Sequence, residues 1–312
     1  MPTDDLHLII IGGGPAGLTA GLYAARARLN VLLVERGSFG GQVLTTHKVE
    51  NYPGFPEGIP GPELADLFQQ HAKAFGLETR SETVRKVWTE DGMYLVELGD
   101  HTLRSSSLIL ASGSRPRQLG VRGEGRLRGR GVSYCATCDG AFFRGEDLAV
   151  VGGGDSAVEE ALFLTRFARA VTIIHRRDVL RATPILQERA RQHPAVSFLW
   201  NTVIEEILGE QQAVGVKARN LKDGTVNEVN FGGIFITIGH EPETDLFKGL
   251  VELDGDGHIV ADEATLATSA PGVFAAGDVR RKVLRQVATA VGDGALAVHS
   301  VLKYLEDKAL LP

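Results

Sequence analysis

The only two cysteines in 312 residues stand as Cys135-Ala136-Thr137-Cys138, followed by Asp139-Gly140. A Cys-x-x-Cys pair can exchange between dithiol and disulfide, or it can supply half of a tetrahedral metal site. The metal alternative asks for a second such pair or for two histidines at ligand spacing. There is no second pair, so no metal site is expected. Ten residues further on, Leu148-Ala149-Val150-Val151 runs into Gly152-Gly153-Gly154-Asp155-Ser156-Ala157. This is an apolar strand opening into a glycine-rich turn that could hold a dinucleotide. A dithiol beside a nucleotide turn suggests an electron relay between a nucleotide and a disulfide.

The same plan occurs earlier in the chain. Leu6 to Ile11 is a continuous apolar run, as for a parallel strand covered on both faces, and Gly12-Gly13-Gly14-Pro15-Ala16-Gly17 follows it. A helix with Leu18, Leu22, Ala25 and Leu29 at helical spacing is predicted to about Arg28, then a strand Val31 to Val34 ending at Glu35. In such a fingerprint Gly12 makes the tight turn, Gly14 lets the backbone approach a pyrophosphate, and Gly17 permits close helix packing. Gly152, Gly154 and Ala157 repeat those three positions, and Gly12 to Glu35 and Gly152 to His175 both span 23 positions. Glu35 suits free ribose hydroxyls, so the first copy calls for FAD or NAD. His175-Arg176-Arg177, with Arg181 beyond, suits a 2'-phosphate, so the second calls for NADP.

Further along, each half repeats a hairpin, around Asp91-Gly92 and around Asp223-Gly224. Each then closes on an apolar strand with proline three residues after its glycine: Leu108 to Gly113 then Pro116, and Ile234 to Gly239 then Pro242. Two homologous α/β domains of Rossmann-like dinucleotide-binding fold, the second inserted into the first, are the economical reading. About seventy residues remain after Pro242, too few for a third domain of ordinary size. They are expected to return to the first, with a strand ending at Gly277-Asp278 and a helix from about Gln286 to Tyr304. The predicted domains are 1–113 with 244–312, and 114–243.

Composition, 43% hydrophobic, 23% charged and 38 glycines, is that of an ordinary soluble globular chain rich in turns and close backbone approaches. A net charge of -6 gives no general attraction to nucleic acid or to an anionic membrane. Met1 to Asp5 lacks a basic leader, and the first apolar run is too short for a signal or a membrane span. A cytoplasmic location is expected, where an ordinary structural disulfide would not persist. That points the cysteine pair towards redox catalysis.

With these residues in view the sequence resembles the bacterial low-molecular-weight thioredoxin reductases over essentially its whole length. The motifs that carry the resemblance are Gly12 to Gly17, Gly40-Gly41-Gln42, Glu50-Asn51-Tyr52-Pro53-Gly54, Cys135 to Gly140, Gly152 to Ala157, His175-Arg176-Arg177 with Arg181, Gly277-Asp278 and Arg285-Gln286. The resemblance implies FAD in the first domain, NADPH in the second, a homodimer, and thioredoxin as protein substrate. It implies flavin contacts from Gly12, Gly14, Pro15, Ala16, Gly17, Glu35, Gly41, Gln42, Asn51, Gly113, Gly277, Asp278, Arg285 and Gln286. It implies NADPH contacts from Gly152, Gly154, Asp155, Ser156, Ala157, His175, Arg176, Arg177 and Arg181.

By the same resemblance Cys138 faces the flavin, Cys135 attacks the substrate disulfide, and Asp139 handles the leaving thiolate's proton. From the residues alone Asp139 reads equally as a turn aspartate before Gly140. Ser112 stands where threonine is commoner, keeping a hydroxyl. Arg117, Arg122, Arg126, Arg128 and Arg130 could dock an acidic partner or simply be solvated. Because nicotinamide and disulfide would ride on one domain yet each must reach the flavin, the motif order implies rotation about the two crossings, near 114–116 and 240–242. The rivals are a related flavoprotein with another disulfide acceptor, and a nucleotide-sensing protein without turnover.

Overall fold

Unbroken apolar runs become strands buried on both faces, and they set the architecture. The computed structural model describes residues 5–46 and 49–311, apart from the side chains of Thr45, Thr137 and Cys138. In chain order the first elements are β1 (Leu6–Ile11), α1 (Pro15–Arg26), β2 (Val31–Glu35), α2 (Gly61–Ala74), β3 (Glu78–Ser81), β4 (Val84–Glu90), β5 (Met93–Leu98), β6 (His101–Leu110) and β7 (Ser114–Pro116). Then come α3 (Glu124–Leu127), β8 (Val132–Ser133), α4 (Ala136–Asp139), β9 (Asp147–Gly152), α5 (Asp155–Leu164), β10 (Ala170–Ile174), α6 (Pro184–Gln192) and β11 (Val196–Leu199). The chain continues through β12 (Thr202–Leu208), β13 (Gly215–Asn220), β14 (Val226–Asn230), β15 (Gly233–Thr237), β16 (His240–Pro242), β17 (Val273–Ala275) and α7 (Val287–Asp307).

The chain forms two units, Met1–Arg115 with Glu241–Pro312, and Pro116–His240. These bounds fall two or three residues inside those expected from sequence. Both crossings lie in short strands, β7 and β16, that pair with each other as a two-stranded ribbon. The glycine preceding each strand has positive φ, Gly113 at 70° and Gly239 at 104°.

In the first unit the sheet order is β3-β2-β1-β6-β5-β4, with β17 also on β6. β1 is parallel to both β2 and β6. Alternate residues face opposite ways. Leu8, Ile10, Leu33 and Ile109 pack against α1 and α7, while Ile9, Ile11, Leu32, Val34 and Leu108 pack with Phe247 and Ile259. Each such side chain contributes about 1.5–3 kcal/mol on full burial. α1 stops at Arg26, two residues short of the expected end, because Arg28 turns left-handed at φ 60°.

The second unit repeats the order as β11-β10-β9-β15-β8, with β12-β13-β14 as a separate antiparallel sheet. Leu148, Val150, Val171 and Ile173 meet α5 and α6, and Ala149, Val151, Ile174 and Ile236 meet the antiparallel sheet. The two parallel registers correspond: Ile11 pairs with Val34, and Val151 with Ile174. Glu35, the last residue of β2, and His175, the first after β10, therefore stand at equivalent places beside equivalent turns. Among the described residues, no helix is long and apolar enough to cross a membrane.

Candidate functional site

Each glycine turn is shaped by close backbone approaches. A Cβ on Gly12 would lie 2.3 Å from the Ala111 carbonyl oxygen, and one on Gly17 would lie 1.8 Å from the Gly12 oxygen. These positions hold α1 against the end of the sheet and admit no side chain. Gly14 differs: the nearest atom to its imagined Cβ is the Cα of Gly41, 3.9 Å away. The open space lies at the start of α1, where Pro15 sits in the first turn and no side chain caps the N–H groups. In the second unit Gly152 is closed by the Thr237 oxygen at 2.2 Å, whereas Gly154 has nothing within 4 Å and begins α5 without a side-chain cap. Both turns thus leave open room and N–H groups without a side-chain cap at a helix start, which fits a dinucleotide pyrophosphate.

Around the first turn the structure gathers several of the expected flavin neighbours. Glu35 Oε2 accepts the Gly13 N–H at 2.7 Å and Oε1 accepts the Gly37 N–H at 3.0 Å, placing the carboxylate beside the turn. Gly277, at φ 82°, lies against Ala16, to which its imagined Cβ would come within 2.9 Å. Asp278 follows in the 3-10 turn Gly277–Val279. Asn51 Nδ2 donates to Gln286 Oε1 at 3.0 Å, and Gln286 caps α7 in a reciprocal box with Thr289. Gln42 Nε2 donates to the Ser114 carbonyl at 2.9 Å, at the crossing that Gly113 opens, and Ser112 Oγ donates to the Glu243 carbonyl at 2.7 Å. Arg285 is paired through Nη2 with His258 Nε2 at 2.8 Å. Burial, then the Arg285 charge, lowers the His258 pKa.

At the second turn Asp155 Oδ1 accepts the Thr183 N–H at 2.6 Å, and the Gly153 carbonyl accepts the Arg181 N–H at 2.6 Å. These bonds bring Arg181 to the turn, where it is exposed with Ser156, Arg176 and Arg177, while Ala157 is buried. His175 is different in kind. Its ring is 5% exposed, lies where a Gly153 side chain would go, and meets Trp200 edge-on at 6.4 Å. Its Nε2 is buried without a hydrogen bond, and burial lowers its pKa, so the ring is neutral at pH 7. The exposed positive groups beside this turn are therefore the arginines.

The dithiol segment leaves β8 through Tyr134 into α4. Cys135 is disulfide-bonded and half-buried; its N–H donates to Ser133 Oγ at 3.0 Å, and its carbonyl accepts the Asp139 N–H at 3.2 Å. Cys138, the other expected redox residue, belongs to α4, and its side chain lies outside the described residues. Asp139 is half-buried where α4 passes into the 3-10 turn Gly140–Phe143. Gly140 lets α4 pack on α5, since its imagined Cβ would lie 2.9 Å from Leu164. On the other flank Tyr134 donates to the buried Glu124 at 2.7 Å, and Glu124 also accepts the Leu119 and Gly120 N–H groups. Burial, then the bond to Glu124, pushes the Tyr134 phenol well above its ordinary value.

Several of the basic residues at the start of this unit are engaged within it. Arg122 pairs with Glu206 at 3.3 Å, Arg126 holds the Gly209 and Glu210 carbonyls, and Arg128 lies 5.0 Å over the Tyr134 ring. Among the described residues no cluster of three or more histidine, cysteine or carboxylate side chains could hold a metal ion.

Two groups escape a reading of the sequence. Glu160 on α5 accepts a hydrogen bond from Thr237 Oγ1 at 2.9 Å, and the Ala136 N–H at the start of the Cys-x-x-Cys helix also favours its charged form. Burial, outweighing both, raises its pKa to about 7. Asp293 on α7 accepts the Gly277 N–H, Arg280 and Lys282, all at 2.9 Å. The available signal was a carboxylate on a buried helical stripe: Glu160 between Ala157 and Leu164, Asp293 between Ala290 and Ala297.

The sequence matches the family model of pyridine nucleotide-disulphide oxidoreductases over residues 6–294. It is 49% identical over 301 residues to the thioredoxin reductase of Mycolicibacterium smegmatis, covering 96% of this chain and 97% of that one. It is 47% identical over 308 residues to the bifunctional thioredoxin reductase/thioredoxin of Mycobacterium leprae (strain TN), covering 98% of this chain and 67% of that longer one. The solved structure of Lactococcus lactis thioredoxin reductase in its FR conformation matches with a TM-score of 0.94 at 44% identity, covering 97% of this chain and all of that one, 100%.

Proposed function

We infer the function of this chain from the premise that it belongs to the pyridine nucleotide-disulphide oxidoreductase family: it is an NADPH-dependent thioredoxin reductase that uses FAD. The observation that carries the reading is the disulfide-bonded Cys135 immediately before α4, which packs against α5, the helix that opens from the second nucleotide turn. The M. leprae relative, whose name joins the reductase to thioredoxin in one chain, supports thioredoxin as the partner.

When bound, FAD supplies two-electron chemistry between a nicotinamide and a disulfide, with NADPH as hydride source. The roles assigned to the chain's residues are these. The Gly12 to Gly17 turn and the start of α1 seat the FAD pyrophosphate, Glu35 takes the ribose hydroxyls, and Gly41, Gln42, Asn51, Gly113, Gly277, Asp278, Arg285 and Gln286 hold the remainder. Gly152 to Ala157 seat the NADPH pyrophosphate. Arg176, Arg177 and Arg181 pair with the 2'-phosphate, while the buried His175 fixes the floor of the turn.

Once the disulfide is reduced, the Cys135 thiolate attacks one sulfur of the thioredoxin disulfide. The thioredoxin S–S bond breaks and a mixed disulfide forms. The Cys138 thiolate then attacks the Cys135 sulfur, restoring the chain's own disulfide, and thioredoxin leaves with two electrons and two protons. Asp139 supplies a proton to a leaving thiolate. Rotation about the two crossings is part of the proposal, supported by the β7–β16 ribbon and by the positive-φ glycines before it. A homodimer in the cytoplasm completes the reading; the dimer follows the family resemblance, and the location follows from a reactive pair that must stay reducible.

One cuvette tests the function. The purified protein should be yellow, bleach when NADPH is added without oxygen, and regain its colour when oxidised thioredoxin follows. Bleaching without recovery would reject thioredoxin as the acceptor, and no bleaching would reject the relay.

A further inference from the structure

Glu160 is not used in that mechanism, yet it joins three parts of the second unit. Its carboxylate accepts the hydroxyl of Thr237 at the end of β15, and it lies close enough to the N–H of Ala136, the residue after Cys135, for that dipole to favour its charged form; Ala136 itself packs on Ala157 and Ala161 of α5. The carbonyl of the same Thr237 presses on Gly152, where a Cβ would come within 2.2 Å. Dithiol helix, strand end and nucleotide turn thus meet through one carboxylate. A glutamate on the stripe that buries Ala157, Ala161 and Leu164 costs stability that a leucine would not, which makes its presence informative.

We propose that Glu160 is a positioning residue for the dithiol, anchoring the start of the Cys-x-x-Cys helix and, through its charge, restraining ionisation of the Cys135 thiol once the disulfide is opened. The inference rests on the reading of Cys135 and Cys138 as the redox pair. Covalent geometry keeps the Cys135 sulfur within about 9 Å of a carboxylate that lies beside the next residue's N–H. A unit negative charge at that range disfavours a thiolate by roughly half a pH unit in a partly solvated setting.

Other charged residues lie on the elements packed against α5. Asp139 is on α4, Asp147 begins β9 and is held by Arg169 at 2.6 Å, and Glu188, Arg189 and Arg191 lie on α6. The charge that bears most on Glu160 is the neighbouring Glu159, which with burial keeps the group titrating near neutrality. The restraint is therefore weak below pH 6 and complete above pH 8.

The test uses the full-length, FAD-loaded protein reduced with NADPH and trapped with iodoacetamide across pH 5.5 to 9. Glu160→Gln keeps an acceptor oxygen and removes the charge. Its labelling at Cys135, followed by mass spectrometry, should match wild type at pH 5.5, run about threefold faster from pH 7 to 8, for a half-unit shift, and converge on wild type at higher pH as both thiols ionise. Glu160→Leu, which removes the acceptor as well, should also change the ratio of Cys135 to Cys138 labelling. NADPH bleaching of the flavin serves as the control in all three proteins. Superimposable pH profiles for wild type and Glu160→Gln would overturn the proposal. Failure of NADPH to expose any thiol in wild type would instead overturn the redox-pair reading beneath it.

Discussion

Replacing Asp293 by Asn should damage both the stability of the first unit and its grip on FAD. The carboxylate is 7% exposed and accepts four hydrogen bonds at 2.9 Å: from the Gly277 N–H, from Nε and Nη2 of Arg280, and from Nζ of Lys282. Arg280 is itself 7% exposed, and the Lys282 side chain 5%. Neutralising the carboxylate leaves two buried cations with only the exposed Glu263, 3.8 Å from Arg280, as a remaining anion, a change that costs about 3–5 kcal/mol when one partner of a buried pair is removed. At about 2–4 °C per kcal/mol for a unit of this size, its melting transition should fall by roughly 10 °C. Asn also holds the Gly277 N–H less firmly, and loosening the Gly277-Asp278 turn by about 1–2 kcal/mol would weaken FAD binding by roughly tenfold.

The pH dependence of this variant has a definite sign. Burial alone would raise the Asp293 pKa, but hydrogen bonds from Arg280 and Lys282 outweigh it and hold the group below the ordinary carboxylate value of 3.8. Such a group contributes stability that is fully present above its unfolded pKa and is lost as pH falls through the folded one. The Asn variant should therefore lose most at neutral pH and show a flatter acid limb below pH 4. Calorimetric melts between pH 3 and pH 8, with FAD titrations followed by flavin fluorescence, measure both effects. A triple variant, Asp293→Leu with Arg280→Met and Lys282→Met, should recover much of the stability but not the FAD affinity. If Asp293→Asn melts within 2 °C of wild type at pH 7 and binds FAD equally, the reasoning fails.

The glycine turns separate a folding role from a binding role. Gly17→Ala places a Cβ 1.8 Å from the Gly12 oxygen, so the protein should purify without flavin, and a normal flavin content would contradict this. Gly154→Ala has nothing within 4 Å and an ordinary negative φ of -92°, so it should melt like wild type while the KM for NADPH rises about tenfold; an unchanged KM would remove the pyrophosphate from that space. Arg177→Ala should raise the KM for NADPH by roughly 10–100-fold through loss of a charged hydrogen bond, leaving NADH turnover alone, and an equal change for both cofactors would assign Arg177 another role.

Much of this molecule could be read from local pattern. The apolar runs, the two glycine turns and the equal spacing to Glu35 and His175 required a duplicated βαβ plan, and the matching registers Ile11 to Val34 and Val151 to Ile174 follow from it. Spacing of that kind is legible because strand and helix periods are properties of a few consecutive residues. The resemblance to thioredoxin reductases drew on the same local motifs.

What the tertiary structure alone decided were pairings between residues far apart in the chain. Asn51 meets Gln286 across 235 positions, a contact fixed by where α7 returns along the sheet rather than by either residue's neighbours. His175 occupies the position of Glu35 in the repeat, yet its ring turns inward beneath Gly153, because a neutral imidazole tolerates burial that a carboxylate or guanidinium does not. Glu160 and Asp293 looked in sequence like unremarked charges on helices. Only the packing of α5 under the Cys-x-x-Cys segment, and of α7 behind Gly277, brings the half-buried Glu160 to Thr237 and the buried Asp293 to the Gly277 N–H.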